Sequence, residues 1–170
     1  MPDAPPPASV PSTDARLRAY GEATGNPVFE FLLRVERPME QRDIDHVDLV
    51  HPTTFRGLHR QWFRAAGSLG DDPMLHQCVL TYATDSGLLD NSIHAHGLSW
   101  LSPKLMIASL DHIVWFHRPF RADSWLLYAT ECTTTEGARG LNHGRIYTED
   151  GTLVASVAQE ALMRHRTPRG

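Results

Sequence analysis

The stretch "GDDPMLHQCVLTYATDSGLL", residues 70–89, decides how the rest of the chain is interpreted. Asp72 suits the N-cap of a helix and Pro73 suits its first position, so we expect a helix to begin here. Four residues follow one another at helical spacing along one face, namely Leu75, Val79, Tyr82 and Ser86. The sequence therefore predicts one long amphipathic helix near the centre of the chain.

Asp85 is an unusual residue for this helix, because its neighbours are largely apolar. It belongs to a stripe with Cys78, Thr81 or Tyr82, and Leu88, next to the face that we expect to be buried. Burying a lone carboxylate is costly unless it is paired, hydrogen-bonded or protonated. Asp85 therefore either faces water without a role or faces a cleft where it takes part in chemistry.

The residues before this helix predict mixed structure. We expect a short helix over residues 13–25. Apolar and polar residues alternate over residues 27–37, which predicts a strand. Residues 38–57 show no such pattern and are expected to be irregular, whereas residues 58–67 predict a second strand with Trp62 on one face.

The residues after the helix predict an antiparallel meander. Residues 91–103 have little periodicity and predict a loop. Four β-type runs follow, at residues 108–120, 125–135, 138–148 and 151–165. Asp150 and Gly151 predict a tight hairpin between the last two runs, with positive φ at both central positions. The predicted fold class is α+β, with one long helix wrapped by a curved antiparallel sheet of about six strands.

The composition is that of an ordinary globular protein. The 170 residues are 41% hydrophobic and 21% charged, and the net charge of −4 gives no reason to expect nucleic-acid binding. No apolar run approaches the ~18 residues of a membrane span, so we expect no membrane insertion. The two cysteines are too few for a disulfide scaffold. With no signal-peptide pattern at the N-terminus, we expect a reduced, cytoplasmic protein.

Gln159 interrupts an apolar face in the last β run. Side chains alternate along a strand, so one face of this run carries Leu153, Ala155, Val157, Gln159, Ala161 and Met163. The amide can satisfy a buried backbone group, or it can belong to a site. Gln159 therefore repeats on a strand the anomaly that Asp85 shows on the helix.

A third polar cluster, Ser109, Asp111 and His112, opens the first β run. It can form a turn in which Asp111 is a local hydrogen-bond acceptor. No G-x-S-x-G pattern surrounds a serine, which argues against an α/β-hydrolase mechanism. With His94, His96 and His117 the cluster holds enough imidazoles for zinc, but the spacing matches no zinc motif, so we expect neither metal nor cofactor.

Three segments resemble the C-terminal half of the acyl-CoA thioesterase II (TesB-type) family. They are "LTYATDSGLLD", "ASLDHIVWFHRPFRADSWLLY" and "GARGLNHGRIYTEDGTLVASVAQEALMR", and the likeness runs from about Trp62 to Arg164. The resemblance implies the hotdog fold, a long helix wrapped by an antiparallel sheet, in agreement with the pattern above. It also implies a division into a proline-rich, linker-like tail at residues 1–15 and a hotdog domain at residues 16–166. We expect the first twelve residues to lie outside the core.

The resemblance further implies an activity and a site. Members of the family hydrolyse acyl-CoA to a free fatty acid and coenzyme A, with a water held by an Asp, a Ser or Thr, and a Gln. Matched motif by motif, these positions fall on Asp85, Ser109 and Gln159. Apart from the resemblance, three residues are candidates for contact with the substrate, namely His117, Arg118 and Arg139. His117 either fixes the end of the first β run or meets an anionic ligand, and surface solubility explains the arginines equally well.

One departure from the family is evident in the length. Family members usually carry two hotdog halves in one chain, whereas this chain carries one. A single half is expected to leave an unpaired edge strand, and therefore to form a homodimer or to associate with a separate half. The alternative is a non-catalytic half that serves as an acyl-CoA-binding or partner subunit.

Overall fold

The structure, a computed structural model, describes residues 1–103 and 105–165. The domain end expected at residue 166 lies outside them. The elements follow the chain as a short 3₁₀ helix (Pro7–Ser9), α1 (Thr13–Thr24), α2 (Pro27–Arg34), β1 (Met39–Asp43), β2 (His59–Ala65), α3 (Pro73–Asp85), α4 (Asp90–His94), β3 (Leu105–Ser109), β4 (Ile113–Phe116), β5 (Leu126–Glu136), β6 (Arg139–Thr148) and β7 (Leu153–His165).

Seven strands form one antiparallel sheet in the order β1-β2-β5-β6-β7-β3, and β4 also pairs with β7. β3 pairs with residues 161–165 and β4 with residues 155–158, so the two strands follow one another along the same side of β7. The predicted α+β class is confirmed. The run expected at residues 108–120 is split into two strands, because residues 110–112 leave the β conformation.

The core lies between α3 and one face of the sheet. Leu80 and Ala83 of α3 pack there, and complete burial of a leucine contributes about 1.5–3 kcal/mol. Five strands supply most of the other side chains, which include Met39, Phe63, Leu126, Tyr128, Ile146, Val154, Ala155 and Val157. Within residues 1–103 and 105–165, the helices are too short or too polar to cross a membrane.

The buried face of α3 differs from the predicted one. The buried residues of the helix are His76, Leu80, Ala83 and Thr84. Leu75 and Tyr82, by contrast, are 40% and 63% exposed. The helix is apolar on two faces, so periodicity did not distinguish them. The His76 imidazole is satisfied on the buried face, because its Nδ1 accepts from the Ala122 N–H and its Nε2 donates to the Gly70 carbonyl, both at 3.0 Å.

The strand predicted at residues 27–37 is wrong, because this segment forms helix α2. The Asn26 side chain caps the helix by accepting a backbone N–H at 3.1 Å. In a strand Phe29 and Phe31 would share a face, whereas here Phe29 is fully buried and Phe31 is 65% exposed. Residues two apart lie on different sides of a helix, which explains the difference.

Residues 38–57 are not wholly irregular, since they contain β1. This strand lacks apolar alternation and is held by backbone pairing and by charge. Glu40 lies directly opposite Arg64 of β2, and their side chains form an ion pair at 2.7 Å. The loop expected at residues 91–103 likewise begins within a short helix, α4.

The turns agree in part with the prediction. The short helix at residues 13–25 is confirmed as α1, which ends at Gly25 with φ +63°. The last two runs do form a hairpin, but only Gly151 of its turn has positive φ. The two-residue turn with positive φ at both positions lies instead between β5 and β6, at Gly137 and Ala138.

The N-terminal segment contributes to the core, contrary to the expectation that it would lie outside. Val10 is buried against Trp62 and Leu127, on a second cluster distinct from the one beneath α3. The Trp62 Nε1–H donates to the Pro5 carbonyl at 2.8 Å. Residues near the N-terminus thus cover part of the sheet.

Candidate functional site

Asp85 is the last residue of α3, and its exposed side chain lines an open cavity of about 720 Å³. The chain leaves the helix here, and Gly87 follows with φ +82°. The cavity lies between the outer face of α3 and the β3–β4 segment. Its wall consists of Met74, Gln77, Cys78, Thr81, Tyr82, Asp85, Ser109, Leu110, Asp111, His112 and Phe116.

Gln159 meets Asp85 from the sheet side. It is completely buried on β7, and its Nε2 donates to Asp85 Oδ1 at 2.5 Å. The carbonyl groups at the C-terminal end of a helix disfavour a negative charge, so a carboxylate at this position benefits from a donor. The structure therefore brings together the two residues that sequence patterns and the family resemblance singled out. Gln159 itself is absent from the cavity wall.

Ser109 lies on the same wall as Asp85. It ends β3, opposite Ala161 of β7, and is exposed to the cavity. The segment that follows is fixed to β7, because Asp111 Oδ1 accepts the Glu160 N–H at 2.7 Å. Asp111 is thus a hydrogen-bond acceptor, as expected, but for a neighbouring strand and not within a local turn.

Sequence patterns gave no special role to Thr84 and no partner to His112. His112 Nδ1 lies 3.3 Å from Gln159 Nε2, and His112 Nε2 lies 3.1 Å from Thr84 Oγ1. Thr84 is buried in the last turn of α3, so its contact with His112 depends on the tertiary packing of α3 against the β3–β4 segment. Only the proximity of His112 to Ser109 in the sequence suggested that it lies near the site.

Tyr128 of β5 contacts the C-terminal end of α3 from the sheet. Its hydroxyl donates to the Thr84 carbonyl at 2.9 Å, which satisfies one of the carbonyl groups that a helix leaves free at its C-terminus. Burial raises the pKa of Tyr128 above its ordinary value, and the negative charge of Asp85 adds to this shift. Tyr128 is therefore a neutral donor.

The three residues proposed for substrate contact, His117, Arg118 and Arg139, lie outside the cavity wall. His117 Nε2 lies 2.9 Å from Ser156 Oγ, and Arg118 donates to the Leu153 carbonyl at 2.7 Å. Arg139, at the β5–β6 hairpin, pairs with Glu160 at 3.4 Å. All three side chains are exposed, so they remain available to a ligand that extends beyond the cavity.

A second cavity, of about 480 Å³, lies between α1, α4 and strands β1, β2 and β5. Two ionisable residues of α4 line it. Burial raises the pKa of Asp90 to about 7, with a further contribution from Asp43. Burial also lowers the pKa of His94 to about 4, with a further contribution from His59. In the part of the chain that the structure describes, no three His, Cys, Asp or Glu side chains converge as a metal site would require.

Comparison with known proteins places the chain in a family. Residues 32–162 match the family described as acyl-CoA thioesterase. Acyl-coenzyme A thioesterase 8 of Homo sapiens is 34% identical over 171 residues, which cover 96% of this chain and 53% of that protein.

Comparison with solved structures gives the same family and indicates the fold. An acyl-CoA thioesterase II TesB2 from Mycobacterium marinum has a TM-score of 0.70 at 34% identity, over 99% of this chain and 57% of the other. A protein described as having a hot dog fold, from Alicyclobacillus acidocaldarius, has a TM-score of 0.65 at 19% identity, over 98% of this chain and 55% of the other. The chain spans about half the length of the relatives that it matches. It therefore has the hotdog fold and belongs to the acyl-CoA thioesterase family.

Proposed function

We propose that the protein hydrolyses acyl-CoA thioesters to a fatty acid and coenzyme A, with Asp85 as the general base. One observation carries the proposal. The Asp85 carboxylate faces an open cavity while the buried amide of Gln159 donates to it at 2.5 Å, in a chain that belongs to the acyl-CoA thioesterase family. This hydrogen bond fixes the orientation of the Asp85 carboxylate, as a general base requires.

The chemistry needs only water and a base. In the proposed reaction, a water in the cavity gives a proton to Asp85 as its oxygen attacks the thioester carbonyl. The C–S bond then breaks, and the leaving thiolate takes the proton from Asp85, which releases the thiol and restores the carboxylate. Ser109, on the same wall, orients that water or the carbonyl through its hydroxyl. Gln159 holds the base and does not touch the substrate, because its side chain is completely buried. No acyl-enzyme is needed.

The cavity wall supports an acyl substrate. Met74, Tyr82 and Phe116 give the wall a large apolar surface, and the volume of about 720 Å³ is typical of a ligand site. Outside the cavity, we propose that the exposed side chains of His117, Arg118 and Arg139 contact the phosphate groups of coenzyme A.

We further propose that a second hotdog unit covers the outer face of α3 and strand β4. The relatives are about twice as long as this chain, and this surface exposes Met74, Leu75, Tyr82, Ile113, Trp115 and Phe116. Large exposed apolar surface is typical of an interface. A homodimer is the simplest form, and a separate half is the other. We also propose that residues 1–15 are a linker-like segment that packs on the sheet of the hotdog domain at residues 16–166. The proposed location is cytoplasmic.

A second candidate function follows from the length of the chain, which is about half that of the relatives. In that case the protein binds acyl-CoA or a partner chain without turning the substrate over. The two functions differ in turnover, so one assay distinguishes them once the oligomeric state of the sample is known.

The experiment is thiol release from acyl-CoA over a range of acyl lengths, with the wild type and Asp85→Asn compared. The variant removes the base but keeps the shape of the side chain. We expect kcat to fall by roughly 100-fold or more, the usual loss when a general base is removed. Circular dichroism checks that the variant folds.

Glu149→Gln is the matched control, because it makes the same chemical change at an exposed turn away from the cavity. We expect this variant to keep wild-type turnover. If folded Asp85→Asn turns over as fast as the wild type, Asp85 is not the base. If a dimeric wild type binds acyl-CoA without releasing thiol, the second function is supported.

A further inference from the structure

His112 joins two elements that meet at Asp85. Its imidazole lies between Gln159 of β7 and Thr84 of α3, with Nδ1 3.3 Å from Gln159 Nε2 and Nε2 3.1 Å from Thr84 Oγ1. Thr84 precedes Asp85 in the helix. The contacts therefore form a ring that runs from Thr84 through His112 and Gln159 to Asp85 and closes through the helix backbone.

The proton on His112 Nε2 follows from the bonds of Thr84. A threonine hydroxyl has one hydrogen to donate. Thr84 Oγ1 lies 2.9 Å from the Leu80 carbonyl oxygen, which can only accept. The hydroxyl hydrogen is used there, so Oγ1 is an acceptor toward the imidazole, and His112 Nε2 carries the proton.

The contacts of Gln159, at the other end of the ring, assign the same tautomer to His112 independently. Gln159 must present its NH₂ group, and not its oxygen, to the Asp85 carboxylate 2.5 Å away, because two oxygens at that distance would repel. The same NH₂ group faces His112 Nδ1, which must then be an unprotonated acceptor. Both ends therefore assign a neutral imidazole with its proton on Nε2.

We infer that His112, as the Nε2–H tautomer, is a positioning residue that fixes the amide of Gln159 so that it donates to Asp85. The inference deepens the function proposed above and rests on it. An amide can rotate by half a turn with little change in shape. With His112 Nδ1 as an acceptor, only one of the two orientations leaves both neighbours of the NH₂ group satisfied. The imidazole thereby keeps the amide oxygen away from the base.

The first test determines directly which imidazole nitrogen of His112 carries the proton. Long-range ¹H–¹⁵N NMR of the imidazole nitrogens at neutral pH reports the tautomer of each histidine, and loss of one signal set in His112→Asn assigns His112. We expect Nδ1 to be unprotonated and Nε2 to carry the proton. An Nδ1–H tautomer or an imidazolium at this position overturns the inference.

The second test is kinetic and compares two substitutions. His112→Leu fills similar space without an acceptor, whereas His112→Asn places an amide oxygen where Nδ1 lies. We expect kcat to fall roughly 10- to 100-fold in His112→Leu, a loss typical of a misplaced catalytic group, with KM changed by less than about threefold. His112→Asn should recover most of the loss. Equal kcat values in the two variants, whether high or low, contradict the inference.

His143→Leu is the matched control for both variants. His143 is an exposed histidine of β6 whose Nδ1 lies 2.7 Å from a single hydroxyl, that of Thr133. The His143→Leu substitution should therefore leave kcat unchanged. If the wild type releases no thiol, the proposed function fails, and the NMR experiment still decides the tautomer of His112, so the two failures are distinguishable.

Discussion

Asp90 and His94 lie one turn apart on α4, and folding shifts their pKa values in opposite directions. Burial raises the pKa of Asp90 to about 7, so the folded protein binds a proton that the unfolded chain releases above pH ~4. The stability that Asp90 contributes is present below pH ~4 and is lost as the pH rises through about 7. His94, with its pKa lowered to about 4, contributes stability that is present above pH ~6.5 and is lost as the pH falls through about 4.

Asp90→Asn should therefore stabilise the protein increasingly as the pH rises from about 4 to about 7, because ionisation of Asp90 in the unfolded wild type then favours unfolding. We expect the gain in melting temperature of the variant over the wild type to be roughly 5 °C larger at pH 8 than at pH 5. Differential scanning calorimetry at both pH values gives the comparison. An equal gain at the two pH values would show that the carboxylate charge is not the cause.

At the scale of elements, the β5–β6 hairpin contains a backbone conformation that suits only one of its two turn residues. Gly137 and Ala138 both have positive φ, at +58° and +62°. Alanine in this region costs about 1–2 kcal/mol because its Cβ approaches the following carbonyl, whereas glycine does not pay this cost. The hairpin therefore carries strain at Ala138.

Ala138→Gly should raise the free energy of unfolding by about 0.5 kcal/mol, since the relieved strain exceeds the added entropy of the unfolded chain. Gly137→Ala should lower it by about 1 kcal/mol. Nothing lies within 4 Å of a Cβ built at Gly137, so that loss reflects the backbone alone. Urea denaturation measures both changes. A loss of stability in Ala138→Gly would contradict the argument.

At the scale of the whole molecule, one side of the protein is unusually apolar. The outer face of α3 and strand β4 expose large side chains, among them Tyr82 at 63% and Trp115 at 49%. β4 is also an outer strand, because in the described residues it pairs only with β7. An exposed edge beside an apolar helix face favours association with a second sheet.

We expect light scattering to give a mass of twice the 19.1 kDa chain at micromolar concentration. Trp115→Lys places a charge at the proposed contact and should shift the mass to that of one chain without loss of helical content. Phe31→Lys, at an exposed aromatic residue of α2 outside this surface, is the matched control and should leave the mass unchanged. A wild type that stays at 19.1 kDa would support a separate partner half instead.

Much of the fold is predictable from local signals in the sequence. Asp72 and Pro73 mark the start of α3, and Gly25 marks the end of α1, because caps act within one turn of the chain. The alternation along β7 correctly predicts that Gln159 lies on a buried face. By contrast, β1 carries too little apolar pattern to be predicted, since its pairing with β2 and the Glu40–Arg64 ion pair stabilise it.

The sequence by itself determined the antiparallel run of β5, β6 and β7, the start of the central helix and the anomalous positions of Asp85 and Gln159. These depend on dihedral preferences and side-chain periodicity, which are local. Only the tertiary structure decided which face of α3 is buried and that Thr84, His112 and Gln159 meet around Asp85. The reason is physical: an apolar pattern on two sides of a helix is ambiguous until a sheet covers one of them, and hydrogen bonds between residues 28 to 74 positions apart exist only after that packing.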